Sequence, residues 1–327
     1  MNKPFAAMAL CAVLGLCATG VRAQSSVNIY GIVGAQFVSA SGKSTLKKLD
    51  ANSIAAPRLG FKGTEDLGGG LNAFFDLESG INTDTGTTSV PFWGRGAYVG
   101  LSGGFGAVAL GRQWTLEDDF LCGLYVCGGY AAFYNFAGFG NSSDLVNNAI
   151  KYTFPKMGGF GGGLMVAPGE AATGRYTAGV LTYGAGPLAL GFAYDVQKNL
   201  AGASDTLVLA AAKYTLGDGF VRLAYADAKP DASAVGKASS LDLGAGYAFS
   251  AFTTLSVDYV TLDRKNSDND ASFVRFIGEY RLSKRTSLNG NVIFLKNKGQ
   301  SAIALAGATV NPGASQTVLT FGIAQSF

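Results

Sequence analysis

The chain has 327 residues, with 25 Lys and Arg against 22 Asp and Glu, and it contains no histidine. This near balance of charge argues against a protein that binds polyanions such as nucleic acid through bulk charge. The absence of histidine excludes Ser-His-Asp triads, Cys-His dyads and the commonest metal ligand, and no group of Cys, Asp and Glu has metal-ligand spacing. We therefore expect no catalytic site, no metal and no cofactor, and the chain is not predicted to be an enzyme.

The first 23 residues have the pattern of a cleavable secretory signal. Lys3 gives a positive start, an apolar run follows over 5–16, and Val21-Arg22-Ala23 fits the small-x-small cleavage site. A membrane anchor is one alternative, but the apolar run is short for the roughly 20 residues of a spanning helix. A lipoprotein is another, although leucines precede both early cysteines where a small residue is expected. We predict a signal peptide over 1–23 and a single domain over 24–327.

Short segments of alternating apolar and polar residues, separated by glycine-rich turns, fill the rest of the chain. No window beyond the signal has the 18 or so continuous apolar residues of a membrane helix. The pattern instead predicts sixteen strands, at 27–38, 54–63, 71–81, 93–102, 105–114, 147–154, 160–167, 175–183, 187–197, 205–215, 219–227, 238–249, 252–263, 271–281, 286–297 and 316–327.

Short and long connections alternate between these strands. Tight turns such as 184–186 are followed by longer connections such as 198–204, and the third long connection, 115–146, is the longest inside the domain. This alternation is typical of an antiparallel membrane barrel, which has tight periplasmic turns and longer external loops. We refer to residues 115–146 as the third loop.

The two faces of the strands differ in polarity. Val221, Leu223 and Tyr225 lie on one face of their strand, and Arg222 lies on the other. In a soluble sandwich the apolar face would pack inward, and alternation alone does not separate the two architectures. The signal and the strand count favour a barrel, and one of 16–18 strands leaves an aqueous channel.

The last predicted strand carries apolar side chains on one face. Leu319, Phe321, Ile323 and Phe327 share this face, and the final residue is aromatic. Outer-membrane barrels end in this way, because their last strand pairs with the first and an open edge cannot lie in lipid. We expect these four residues to form the C-terminal signal for the outer-membrane barrel-assembly machinery.

Several longer segments occur in one order along the predicted mature chain. They are Ser26-Val27-Asn28-Ile29-Tyr30-Gly31, Arg58-Leu59-Gly60-Phe61-Lys62-Gly63-Thr64-Glu65-Asp66-Leu67-Gly68-Gly69-Gly70-Leu71, Ala97-Tyr98-Val99-Gly100-Leu101, Leu110-Gly111-Arg112-Gln113, Leu282-Ser283-Lys284-Arg285-Thr286 and the terminal Phe327. Together they resemble the general-diffusion porins of Gram-negative outer membranes, in the beta-proteobacterial branch. The resemblance implies an all-β, 16-stranded antiparallel transmembrane β-barrel in outer-membrane lipid, a homotrimer, and passive diffusion of ions and small hydrophilic solutes. It also implies that the third loop folds into the lumen and narrows it.

The third loop begins with three acidic residues, Glu117, Asp118 and Asp119, which we expect at the constriction. The short Pro-Glu-Phe-type motif that the family usually carries in this loop is missing, and an aromatic, glycine-rich run stands in its place. Cys122 and Cys127 are a further departure from the family. A disulfide between them is feasible in an oxidising compartment and would clip the loop, while two unpaired thiols are the alternative.

Basic residues are predicted to line the opposite wall. Arg58 and Lys62 share a parity opposite apolar neighbours, and the resemblance places arginines at Arg58, Arg95 and Arg112 across from the third loop. Strict alternation would turn Arg112 outward unless Gly111 marks a bulge. A lipid-facing arginine near the midplane costs roughly 2–4 kcal/mol, so we predict that Arg112 faces the lumen.

The expected mechanism is a transverse field between this basic wall and the three loop acids, with a weak preference for anions. The plainer interpretation is that these charges only solvate a wide lumen. A substrate-specific channel with a binding site in the third loop is the alternative function. A surface adhesin is less well supported, because the other external loops are of modest length.

Overall fold

The computed structural model describes residues 26–131, 144–170, 174–230 and 236–327. The predicted signal over 1–23 lies outside these residues, as does part of the third loop. Within the described ranges, no helix is long and apolar enough to cross a membrane.

The described residues form strands and one short helix. The strands are β1 Ser26–Ala40, β2 Leu46–Ala51, β3 Arg58–Gly68, β4 Leu71–Asn82, β5 Thr87–Thr88, β6 Gly96–Gly103, β7 Gly106–Trp114, β8 Leu145–Thr153, β9 Phe160–Ala167, β10 Tyr176–Ala185, β11 Leu188–Lys198, β12 Ser204–Leu216, β13 Gly219–Pro230, β14 Ala238–Ala248, β15 Thr253–Arg264, β16 Ala271–Arg281, β17 Thr286–Asn297 and β18 Ser315–Ser326. Helix α1, Leu116–Leu121, lies between β7 and β8.

The strands close into a 16-stranded antiparallel barrel, which confirms the predicted fold class. β2 and β5 are short additions at the external ends of the wall. Apart from β3, each predicted strand bound lies within about three residues of the observed one. The alternation of side chains is therefore a good guide to these strands, because one face meets lipid and the other meets the lumen.

The register of the strands aligns the apolar side chains of neighbouring strands on one face of the wall. Leu223 pairs with Leu243, and Leu243 pairs with Tyr259. All three side chains are nearly half exposed, whereas Ala224 and Ala226, on the other face of β13, are fully buried. The exposed apolar residues thus form a continuous outer surface of the kind that contacts lipid.

The barrel closes where β1 pairs with β18. Gly31 and Phe327 exchange backbone hydrogen bonds of 3.3 Å and 3.1 Å. The Phe327 ring lies over Gly31, where an added Cβ would come within 2.5 Å of the ring. Leu319, Phe321, Ile323 and Phe327 are all exposed on one face, as their parity predicts.

The wall next to β1 is interrupted at residues 52–57. The upper part of β1 pairs with β2 and its lower part pairs with β3. In the gap, Asn52 Oδ1 accepts hydrogen bonds from the backbone N–H groups of Ile54 and Ala55, at 3.1 Å and 2.9 Å. Pro57 has no N–H to give to a sheet. The prediction that this strand begins at 54 is wrong for these two reasons, and β3 begins at Arg58.

Candidate functional site: the constriction

Helix α1 packs against the inner wall of the barrel. The chain leaves β7 at Thr115, and the side chains of Leu116 and Leu121 are fully buried. Glycines on the wall make room for them: an added Cβ on Gly191 would collide with Leu121, and one on Gly163 would lie 3.5 Å from Leu116. The first turn of the third loop therefore lies on the inward face of β9–β11.

The next part of the third loop is held by β14 and β16. The backbone N–H of Val126 donates to Asp242 Oδ2 at 2.5 Å. Arg275 Nη1 donates to the carbonyl oxygens of Gly128 and Ala131, at 2.6 Å and 2.8 Å. Asp242 and Arg275 are almost fully buried, and each sits on the face opposite its exposed apolar neighbours. These bonds hold residues 126–131 against the inward faces of β14 and β16.

The same loop also touches the interrupted wall beside β1. The Gly129 N–H donates to Ser53 O at 2.9 Å, and the Tyr130 hydroxyl donates to Asp50. A disulfide joins Cys122 to Cys127 at the centre of this path. Asp118 lies near both sulfur atoms, but these are bonded to each other, so the group does not offer a thiolate metal site.

A cavity of about 530 Å³ remains between the loop and the wall of β3–β7. The wall contributes Arg58, Glu78, Arg95 and Trp114, and the loop contributes Asp118, Asp119, Tyr125 and Asp144. We call this cavity the constriction. Opposite charges face each other across it.

Arg58 and Arg95 share one carboxylate. Arg95 Nε lies 2.7 Å from Glu78 Oε1, and Arg58 Nε lies 3.9 Å from Glu78 Oε2. The Arg95 guanidinium also lies 5.0 Å from the centre of the Trp114 ring. A second cluster lies beside it, in which Lys62 sits over Tyr30. The strand parity predicted that Arg58 and Lys62 share the inner face, and the structure brings both to the same wall.

Tyr30 links the carboxylates of this wall. Its hydroxyl donates to Asp76 Oδ1 at 2.9 Å and to Glu78 Oε2 at 3.1 Å. Lys62 Nζ lies 5.0 Å from the centre of the Tyr30 ring. The basic wall is therefore partly neutralised, because two carboxylates lie among its three cations.

The loop acids are in three different environments. Asp119 forms an ion pair with Lys151, with Nζ and Oδ2 2.8 Å apart. Burial, followed by the nearby charges of Asp144 and Asp119, raises the pKa of Asp118 to about 7. Burial raises the pKa of Asp144 to about 6. Asp118 and Asp144 thus change charge near neutral pH.

Glu117 does not line the constriction, and its predicted position there is wrong. Its side chain is 1% exposed, on the same side of α1 as Leu121 one turn later. Burial, followed by the nearby charge of Asp195, raises its pKa well above the usual range. Glu117 therefore belongs to the contact between α1 and the wall.

Arg112 is also placed differently from the prediction. It pairs with Ala97, which pairs with Leu77 on the outward face. Its Nε donates to Gly94 O at 2.8 Å, and its Nη1 donates to Asn147 Oδ1 at 2.5 Å. The register does shift next to Gly111, but the extra residue lies in β8 between Val146 and Ala149, so β7 keeps its alternation, with Gln113 buried and Arg112 on the outer face.

Sequence reasoning missed Trp114 and Asp144, which line the constriction, and Lys151, which forms an ion pair with Asp119 of its lining. Lys151 alternates with Ile150 and Tyr152, so its parity was a usable signal. Trp114 and Asp144 flank the third loop, and no periodicity marks where their side chains point. Their positions depend on how the loop packs.

Comparison with known proteins places these features in context. The Gram-negative porin family matches residues 6–300. The chain is 34% identical over 357 aligned residues to outer membrane porin protein 32 of Delftia acidovorans, with 100% of both chains covered. Among solved structures, the anion-selective porin from Comamonas acidovorans has a TM-score of 0.85 at 31% identity, covering 93% of this chain and 100% of that one. The trimer form of OmpT from Vibrio cholerae has a TM-score of 0.72 at 17% identity, covering 93% and 99%, which bears on the fold alone.

Proposed function

The chain belongs to the family of Gram-negative porins, and from this premise we propose how its constriction sorts ions. It is an outer-membrane channel for the passive diffusion of ions and small hydrophilic solutes, and it is not an enzyme. In the proposal, Arg58, Lys62 and Arg95 attract anions across from Asp118 and Asp119, which gives a weak anion preference. Arg112 and Glu117 have no part in this filter.

The arrangement of charges around the constriction carries this proposal. Arg58 and Arg95 share the single carboxylate of Glu78, so this part of the wall has two cationic groups and one anionic group. On the loop, Lys151 offsets Asp119. Asp118, with its pKa of about 7, is only partly ionised near neutral pH. Asp144, with its pKa of about 6, keeps most of its charge, so the site as a whole is close to neutral and the surplus of positive charge lies on the wall of Arg58 and Arg95. Charged side chains around a pore are the usual means of sorting ions.

Replacing Arg95 with alanine tests the filter. We expect Arg95→Ala to lower the chloride-to-potassium permeability ratio by several-fold, because Glu78 then faces the pore with one cation fewer. The measurement is the reversal potential of purified channels in a planar bilayer under a KCl gradient. Lys43→Ala, at an exposed position in an external connection, is the matched control and should leave the ratio unchanged.

A wild-type channel that prefers potassium would contradict the proposed anion preference. An Arg95→Ala channel with the wild-type ratio would show that the wall charges only solvate the lumen. A saturable block of the current by one solute would instead favour a substrate-specific channel.

We also propose that the channel works as a homotrimer. Arg112 and the Asn147 amide that accepts its hydrogen bond place polar groups on the outward face of the wall at β7 and β8, where lipid contact would be unfavourable. A neighbouring copy covering this face would remove that cost. The trimer form of the Vibrio cholerae OmpT structure has the same fold.

Export and insertion complete the proposal. Residues 1–23 act as a signal that is removed on export, leaving the domain 24–327 to insert into outer-membrane lipid. Leu319, Phe321, Ile323 and Phe327 act as the signal for the barrel-assembly machinery. Their shared exposed face on the closing strand is consistent with this role.

A further inference from the structure

Two cations lie side by side on the wall across from Arg58 and Arg95. Lys213 of β12 is the direct cross-strand partner of Arg222 of β13. Like charges placed directly opposite each other destabilise a sheet. Arg222 is compensated by Asp258, with Nε and Oδ1 2.9 Å apart. Within the part of the chain that the structure describes, no carboxylate forms an ion pair with Lys213, so one positive charge of the pair is uncompensated.

An aromatic ring brings the two cations together. Lys213 Nζ lies 4.4 Å from the centre of the Phe220 ring, and the Arg222 guanidinium carbon lies 5.5 Å from the same centre. Phe220 covers Gly246, where an added Cβ would come within 2.5 Å of the ring atom Cζ. The ring is therefore held flat against the wall and fixes both cationic groups above one surface.

The position of this group differs from that of the constriction. β12 and β13 lie about half-way round the barrel from β3 and β4. Lys213 and Arg222 are three residues from the tight turn that joins Leu216 to Gly219. Tight turns mark the periplasmic end, whereas the third loop enters from the external ends of the strands. Lys213, Phe220 and Arg222 thus lie on the inner wall of the periplasmic vestibule below the constriction, where the Arg222 side chain is 9% exposed.

We propose that Lys213, Arg222 and Phe220 form a second anion site, which holds a small inorganic anion such as chloride or phosphate between the two cationic groups. An anion at this position would offset the repulsion between the like charges. Nε and Nη2 of Arg222 donate to Asp258, so the anion would take the remaining N–H groups of Arg222 and the compact charge of the Lys213 ammonium. The inference rests on the proposed passage of anions through the channel, and it adds a site at which they gather after the constriction.

The test is the removal of the uncompensated charge. Lys213→Gln should lower the chloride-to-potassium permeability ratio by about twofold at low salt, and the effect should shrink between about 0.1 M and 1 M KCl as the screening length falls from about 10 Å to 3 Å. Lys213→Arg keeps the charge and should keep the wild-type ratio, which separates charge from packing. Lys284→Gln removes an exposed charge at another periplasmic turn and is the matched control.

Phosphate gives a second readout. Added to KCl, it should reduce the wild-type single-channel current, and it should have a weaker effect on Lys213→Gln. A Lys213→Gln channel with the wild-type ratio and the wild-type response to phosphate would overturn the site. An equal shift of the permeability ratio in Lys284→Gln would also overturn the site, because any charge at the periplasmic mouth would then have the same effect.

The outcomes separate this site from the constriction filter. If the wild-type channel prefers potassium, the proposed anion preference fails. A further shift toward potassium in Lys213→Gln would then still support an anion site in the vestibule. If Arg95→Ala shifts the ratio and Lys213→Gln does not, the filter stands and the second site fails.

Discussion

At the scale of single residues, two loop carboxyl groups that line the constriction, Asp118 and Asp144, have raised pKa values. Burial raises the pKa of Asp118 to about 7, with Asp144 and Asp119 adding to the shift, and burial raises the pKa of Asp144 to about 6. Both groups gain protons as the pH falls from about 8 to about 5, while arginine keeps its charge throughout this range. The loop therefore becomes less negative as the solution becomes more acidic.

We expect the anion preference to rise as the pH falls across this range. The measurement is the reversal potential as a function of pH. Asp118→Asn combined with Asp144→Asn should flatten the profile, because the two titrating groups are gone. Asp84→Asn, at an exposed external position, is the control and should keep the wild-type profile. A wild-type preference that falls with acidification would contradict the assignment.

Some residue positions could be predicted from parity and others could not. Arg58 and Lys62 follow strict alternation in a regular strand, so the sequence places them on the inner face. Arg112 obeys the same alternation and points outward; the prediction that it faces the lumen is wrong because it required a bulge at Gly111, whereas the extra residue lies in β8. Glu117 lies on a short helix whose contact face is decided by the glycines of a distant wall. For Glu117 the deciding information is tertiary.

At the scale of elements, α1 docks on the inner wall through the buried side chains of Leu116 and Leu121. We expect Gly191→Val to displace α1, because the new side chain would overlap with Leu121. Overpacking of this kind costs about 1–3 kcal/mol. The displaced loop should raise the single-channel conductance and make the current noisier.

The control for this change is a glycine with free space around it. An added Cβ on Gly184 meets nothing within 4 Å, so Gly184→Val should keep the wild-type conductance. A Gly191→Val channel with normal conductance would show that the contacts of the loop with Asp242 and Arg275 suffice to hold it. Heat-modifiable migration on a gel would verify that both variants form barrels.

The strands were predictable because one physical rule, lipid outside and water inside, acts on every one of them. Helix α1 and the interruption at 52–57 escape that rule. The helix is too short to show a periodicity, and the interruption depends on Asn52, whose side chain bonds to the backbone two and three residues later. Such hydrogen bonds from a side chain to the nearby backbone compete with sheet pairing. The sequence does not reveal this one, because residues that favour strands lie on both sides of Asn52.

At the scale of the whole molecule, Arg112 distinguishes an interface between copies from a surface in lipid. If a second copy covers it, Arg112→Leu removes hydrogen bonds at the contact, and the oligomer should dissociate at a lower temperature on a semi-native gel. If it faces lipid, the same change should stabilise the barrel by roughly 2–4 kcal/mol and leave the oligomer unaffected. Arg281→Leu, at the exposed periplasmic rim, is the control.

The strand count and the connection lengths were enough to predict the barrel. They were not enough to predict which surfaces form subunit contacts. Subunit contacts use the same outward apolar residues as lipid contacts, so alternation cannot separate the two. Arg112 on the outward face of β7 provides the missing signal, and the pairing of Arg112 with Ala97 establishes that position.

The pairing of β1 with β18 has a consequence for how the protein is made. Ile32 meets Ser326, so the contact that seals the wall joins residues from opposite ends of the domain. Pairings over such sequence distances form late, because most of the chain must be ordered before they are favourable. Until β18 arrives, β1 and β17 both expose an open edge that lipid does not accept. A product cut short before β18 would therefore not become a smaller pore, but a substrate for periplasmic proteolysis.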